Sequence, residues 1–62
     1  MNSREIIKSL IQNGWHEVAQ SGSHVQFRHS ERIGRVTVPH PKKDIPIKTL
    51  KSIERQSGIK FR

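Results

Sequence analysis

Sixty-two residues with 31% hydrophobic content leave room for one domain, 1–62, expected to bury only about 60% of the surface its unfolded chain exposes. The absence of cysteine excludes disulfide frameworks, zinc ribbons, iron–sulfur ligation and thiol catalysis, and apolar residues that never run beyond two in a row exclude a membrane span or a secretory apolar segment, so a soluble, cytoplasmic chain is expected. The net charge of +7 sits in one half: residues 1–31 set Arg4, Lys8 and Arg28 against Glu5, Glu17 and Glu31, whereas 32–62 set nine basic residues against Asp44 and Glu54, as expected when one side of a small domain meets nucleic acid or an acidic protein.

Ser3 is read as the cap of a first helix starting at Arg4, with Glu5 suiting its positive end. Ile6, Ile7, Leu10 and Ile11 form one stripe at helical spacing, and Asn13-Gly14 ends the helix. From Trp15 the pattern becomes short alternating segments separated by Ser21-Gly22-Ser23 and by residues 30–34. A first strand is expected over about 15–20. A three-residue turn at Ser21-Gly22-Ser23 pairs Ala19 with Val25 and sends Trp15 to the core, whereas a two-residue turn reverses the faces; the longer turn is preferred because it buries the single tryptophan. It also places Glu17 on the buried side or at an edge.

In the second strand, 24–29, Val25, Phe27 and His29 share one face and His24, Gln26 and Arg28 the other. A third strand over 35–38 opposes Val36 and Val38 to Arg35 and Thr37. Pro39-His40-Pro41 takes the chain out of the sheet, and it crosses through Lys42-Lys43-Asp44. Pro46 suits the first turn of a second helix ending at Ser57, with Gly58 beyond it; Ile47, Leu50 and Ile53 are expected inward and Lys48, Lys51, Ser52 and Arg55 outward. The expectation is an α+β fold of order αβββα, a three-stranded antiparallel sheet with two helices on one face.

The uncovered face then carries His24, Gln26, Arg28, Arg35 and Thr37, a polar, cationic surface with an imidazole, suited to a phosphodiester. RNA brings its own nucleophile, the 2′-hydroxyl, so a cleaving enzyme needs a base active near neutral pH, in-line geometry and cations for the charge that develops on phosphorus. Histidine fits that requirement. Five scattered acids form no carboxylate cluster for Mg²⁺, so no cofactor and metal-independent cleavage are expected.

Among the four histidines, His24 follows a Gly-Ser turn whose amides can approach a phosphate and is the single candidate catalytic histidine, as general base or general acid. His29 falls on the Val25 and Phe27 face and reads as a partly buried structural residue, His16 as exposed, and His40, between two prolines, either reaches substrate or fills a rigid loop. His24 and His29 are five apart and so on opposite faces of one strand, which argues against a shared metal site; Ser23 beside His24 points away from it, which argues against a triad. Gly22, Ser23, Gln26, Arg28, Lys42, Lys43, Lys48 and Lys51 are the candidate RNA contacts, with Arg55 extending the basic helix face. Trp15 and Phe27 read as core, so recognition of single strands by base stacking is disfavoured.

Gly14-Trp15, Gly22-Ser23-His24, Val36-Thr37-Val38-Pro39-His40, Thr49-Leu50 through Ile53 and Gln56-Ser57-Gly58-Ile59 together resemble the HicA family of toxin endoribonucleases over essentially the whole chain. The Gly-Ser-His turn is the most specific element. Members often have glycine where this chain has Lys48 before Thr49-Leu50. The resemblance implies a fold like the double-stranded RNA-binding domain, ribosome-independent cleavage of mRNA, catalysis by the histidine that is His24 here, and a HicB antitoxin that neutralises the toxin. A monomeric toxin inside a hetero-oligomeric complex is expected. The rival expectation is a non-catalytic double-stranded RNA-binding module of the same fold.

Overall fold

The computed structural model describes residues 1–61, and the elements run α1 (Ser3–Gln12), β1 (Trp15–Ser21), β2 (His24–His29), β3 (Val36–Pro39) and α2 (Ile47–Ser57). The sheet is antiparallel with β2 at its centre, in the order β1-β2-β3. Alternation in β2 buries Val25 and Phe27 and turns His24, Gln26 and Arg28 the other way. Val36 and Val38 of β3 are buried with them, and Ile6 and Leu10 of α1 and Leu50 and Ile53 of α2 close the same core. Both helices therefore cover one face, and the other is open, as the αβββα expectation requires.

The start of α1 differs from the expectation. Its cap is Asn2, whose side chain accepts from the Glu5 amide while the Glu5 carboxylate accepts from the Asn2 amide, a reciprocal capping box. Ser3 is thereby released from capping, sits one position into the helix and is buried. Within the helix the inward stripe is narrower than expected: Ile6 and Leu10 are fully buried, Ile7 is partly covered, and Ile11 is 58% exposed. Ile11 lies 100° around the helix from Leu10, which takes it off a face centred on Ser3, Ile6 and Leu10. In α2 the corresponding correction is Ile47, exposed in the first turn, while Ile45 in the preceding loop is buried and enters the core instead. Pro46 stands at the cap position just before α2 rather than inside its first turn.

The hairpin between β1 and β2 has a two-residue turn, Gly22-Ser23, with Ser21 paired to His24 and Gln20 to Val25. Gly22 at φ 58 followed by a residue without positive φ is the pattern of a type II′ turn. Ala19 thus pairs with Gln26 and not with Val25, and the extra residue expected in the turn appears in the strand, as a bulge between Glu17 and Ala19. Either device shifts the register by one residue. From Glu17 backward the pairing is consequently the expected one: Glu17 with Phe27, His16 with Arg28 and Trp15 with His29. Trp15 is buried, and Glu17 stays exposed on the edge strand. Arg35 lies just before β3, not within it.

The loop after β3 is fastened to the amino-terminal segment. The Ser3 amide donates to the Lys42 carbonyl at 2.9 Å and the Ile45 amide to the Met1 carbonyl at 3.0 Å. At the opposite corner, His29 is held by two groups of fixed polarity: it faces the Asn13 carbonyl through Nε2 at 3.0 Å, and its Nδ1 accepts from the Glu31 amide at 3.0 Å. A carbonyl only accepts and an amide N–H only donates, which assigns the ring proton to Nε2. The ring also packs against Trp15, with centroids 5.2 Å apart. His29 is the structural histidine the alternation suggested.

This corner depends on Gly14. Its φ is +90, and a Cβ there would stand 2.8 Å from His29 Nε2, so Gly14→Ala adds backbone strain to displacement of the ring. The expected cost is about 2–3 kcal/mol, read as a lowered thermal midpoint. Gly22→Ala is the control, because Gly22 also has positive φ but an added Cβ meets nothing within 4 Å; its cost is that of strain alone, about 1 kcal/mol. Equal melting points for the two variants would show that the His29 contact contributes nothing.

Candidate active site

The pleat places His24 at the start of β2 on the open face, paired across to Ser21 of β1 and Pro39 of β3. Its side chain is exposed and has no hydrogen-bond or ion-pair partner among the described residues. His24 lines an open depression together with Ser23, Thr37, the Pro39–Lys42 segment and, from the start of α2, Pro46 and Thr49. The lining residues include two histidines and a lysine and no aspartate or glutamate. Nor does α2 bring an acid in its first turn or a side chain that caps its free amides, so the positive end of its dipole adds to a cationic surface.

His40, left open between substrate contact and loop filling, belongs to this depression. Its amide donates to the Ser23 carbonyl at 2.7 Å, tying the Pro-His-Pro loop to the Gly-Ser turn. Its Nδ1 meets Ser3 Oγ at 2.7 Å, and that same hydroxyl oxygen accepts from the Lys42 amide at 2.9 Å. Ser3 is 2% exposed, so a desolvated hydroxyl holds the half-buried imidazole of a residue that lines the depression. The sequence held a signal for this. Asn2 and Glu5 have capping-box spacing, which takes the cap away from Ser3 and leaves a buried hydroxyl in search of a partner.

The remaining candidate residues divide into four groups. Gly22, Ser23 and Lys42 lie at His24: Ser23 and Lys42 line the depression, and Gly22 makes the turn before it. Gln26 and Arg28 continue along the open face of β2, where Gln26 accepts a hydrogen bond from the Arg35 guanidinium. Lys43 lines an adjoining hollow with Asn2, Ser3, Arg4, His40, Pro41 and Lys42. Lys48 and Lys51 are exposed on α2 and do not line either hollow. Arg4, Thr37 and Thr49 were not among the expected site residues; Thr37 was placed on the open face, but nothing in the local pattern of Arg4 or Thr49 announces a shared hollow.

His16 pairs with Arg28 across the hairpin and is exposed, as expected. The described residues contain no group of three or more His, Asp or Glu side chains placed to hold a metal ion. Among them, no helix is long and apolar enough to cross a membrane.

Comparison with known proteins places this arrangement. The comparison with curated proteins gave no match. Among solved structures, a chain of the HicA3 and HicB3 toxin-antitoxin complex is similar at 35% identity with a TM-score of 0.76, the match covering 100% of both chains. The family model for the HicA toxin of bacterial toxin-antitoxin systems matches residues 3–59, a span that includes Ser3, the Gly22-Ser23-His24 turn, His40 and the whole of α2. The chain belongs to the HicA toxin family.

Proposed function

We propose that the chain is a ribosome-independent endoribonuclease toxin that cleaves mRNA by metal-independent acid–base catalysis at His24. The observation that carries this reading is an exposed imidazole with no protein partner among the described residues, seated in a hollow that has basic groups and no carboxylate. An imidazole exchanges protons near neutral pH, and RNA supplies the nucleophile. Abstraction of the 2′-hydroxyl proton lets that oxygen attack the adjacent phosphorus, and the Lys42 ammonium and the positive end of α2 favour the charge that gathers on the phosphoryl oxygens. Gln26 and Arg28 extend the RNA path along β2, and Lys43, Lys48 and Lys51 add phosphate contacts beyond the hollow.

Purified protein is expected to cut a long mRNA in EDTA, and His24→Ala to cut about 10²- to 10⁴-fold more slowly while still binding RNA, with folding checked by circular dichroism. Wild type that binds RNA and leaves it intact, with or without Mg²⁺, would replace the nuclease with a double-stranded RNA-binding module. Lys42→Ala is expected to weaken RNA binding whatever the sequence and to lower the slope of log affinity against log salt by about 1, measured by fluorescence anisotropy across a salt series. An unchanged slope would remove Lys42 from the phosphate contacts.

A HicB-like antitoxin is the proposed protein partner, supported by the family, by the toxin-antitoxin complex that contains the similar chain and by the net charge of +7, which favours an acidic partner. Covering the open face would block RNA. Addition of a HicB-like protein in equimolar amount is therefore expected to abolish RNA binding and cleavage together; a stable complex that cuts at the free-toxin rate would refute the covering arrangement.

A further inference from the structure

A single imidazole leaves one of the two proton transfers of the reaction proposed above to water. When the 2′-oxygen attacks, a proton must leave it, and when the bond from phosphorus to the 5′-oxygen breaks, a proton must reach that oxygen. The two transfers occur on opposite sides of the phosphorus in an in-line displacement, so a group at one position serves one of them. The hollow holds a second imidazole.

Resting on the endoribonuclease reading, we propose that His40 is the general acid of this site, delivering a proton from Nε2 to the departing 5′-oxygen while His24 accepts the proton of the 2′-hydroxyl. The bond from the 2′-oxygen to phosphorus forms as the bond from phosphorus to the 5′-oxygen breaks, leaving a 2′,3′-cyclic phosphate and a 5′-hydroxyl. His24 ends the step with one proton more and His40 with one fewer. Exchange with water restores both.

Three observations support the role. His40 lines the same depression as His24. Its backbone is pinned to the Gly-Ser turn by the 2.7 Å bond from its amide to the Ser23 carbonyl, so the two histidines are held to one frame. Its Nδ1 is occupied by Ser3 Oγ, whereas Nε2 has no protein partner among the described residues. The Ser3 hydroxyl already accepts from the Lys42 amide, yet it keeps a second lone pair and its own proton. It accepts from Nδ1–H when the ring is protonated, and still accepts from Nδ1–H after Nε2 has given its proton away. The ring is held through the transfer by Nδ1, which leaves Nε2 as the nitrogen free to exchange a proton. The two hydrogen bonds would also serve a loop-filling histidine; the unpartnered Nε2 in a residue that lines the same hollow as His24 is what favours the catalytic role.

A linkage with sulfur in place of the bridging 5′-oxygen tests the assignment, because a thiolate leaves without being protonated. The cleaved linkage is first mapped on a long mRNA, and oligonucleotides with oxygen or sulfur at that linkage are then compared for wild type, His24→Ala, His40→Ala and His40→Asn. Asparagine places an amide atom where Nδ1 stands, so it keeps a partner for Ser3 and removes only Nε2, which guards against loss of fold. Both His40 variants are expected to cut the oxygen linkage about 10²- to 10⁴-fold more slowly than wild type and the sulfur linkage within about tenfold of it. His24→Ala is expected to fail on both. His40→Asn that cuts the oxygen linkage at the wild-type rate, or that is equally slow on both linkages while folded, would overturn the assignment. Rescue of His24→Ala in place of the His40 variants would overturn it by exchanging the roles. Wild type inactive on both linkages would instead bring down the endoribonuclease reading, an outcome read without any variant.

Discussion

The pleat of β2 is the constraint on which the site depends. His24 and Phe27 are three residues apart in one extended strand and therefore point to opposite faces. Phe27 is fully buried at the centre of the core, among residues from both helices and both neighbouring strands. Its burial commits the register of β2, and with it the outward direction of His24, Gln26 and Arg28. A slip of one residue would bury an imidazole, an amide and a guanidinium and expose Phe27 and Val25. The large cost of that exchange, in lost apolar burial and in unpaired polar groups, keeps the histidine at the surface of a chain of 62 residues.

The hairpin is held to the same requirement from the other side. Trp15 must reach the core face from a strand that pairs with β2 through a turn of fixed geometry. A two-residue turn alone gives the wrong parity, and the bulge between Glu17 and Ala19 restores it. Placing the extra residue in the strand keeps the turn itself tight, with Ser21 paired directly to His24. The tight turn leaves the Ser23 carbonyl where the His40 amide reaches it. Sheet parity, turn length and the link between the two histidine-bearing segments are thus one connected piece of geometry.

Much of this was legible in the residues. The αβββα order, the buried faces of β2 and β3 and the exposure of His24 follow from alternation and from punctuation by glycine and proline. The resemblance carried by Gly22-Ser23-His24 agrees with the family to which the chain belongs. What escaped is of two kinds. Ile45 and Ile47 are equivalent by composition and differ only in which of them the end of the core can accommodate, a matter of helix placement that no local pattern records. The bulge and the longer turn are equivalent by parity, so burial of Trp15 supports both, and only the conformation at Gly22 separates them.

Ser3 belongs to a different class. Read as a helix cap, it explains the start of α1 and nothing else. With Asn2 in that role, the same hydroxyl becomes the link between two segments distant in sequence, the first turn of α1 and the loop that follows β3, which it holds at both the His40 ring and the Lys42 amide. A buried hydroxyl with no partner would cost roughly 1–3 kcal/mol, and both of its contacts here are hydrogen bonds, so burial and satisfaction agree. The loop over residues 40–45 has no regular secondary structure to fix it, yet it brings His40 and Lys42 to the hollow beside His24. Its shape is set where it touches residues that are fixed already: Ser23 at the turn, Ser3 and Met1 at the amino-terminal segment. A small domain without disulfides can therefore hold a site that spans a strand, a turn and an irregular loop, because each part of the site is hydrogen-bonded to an element whose position the core dictates.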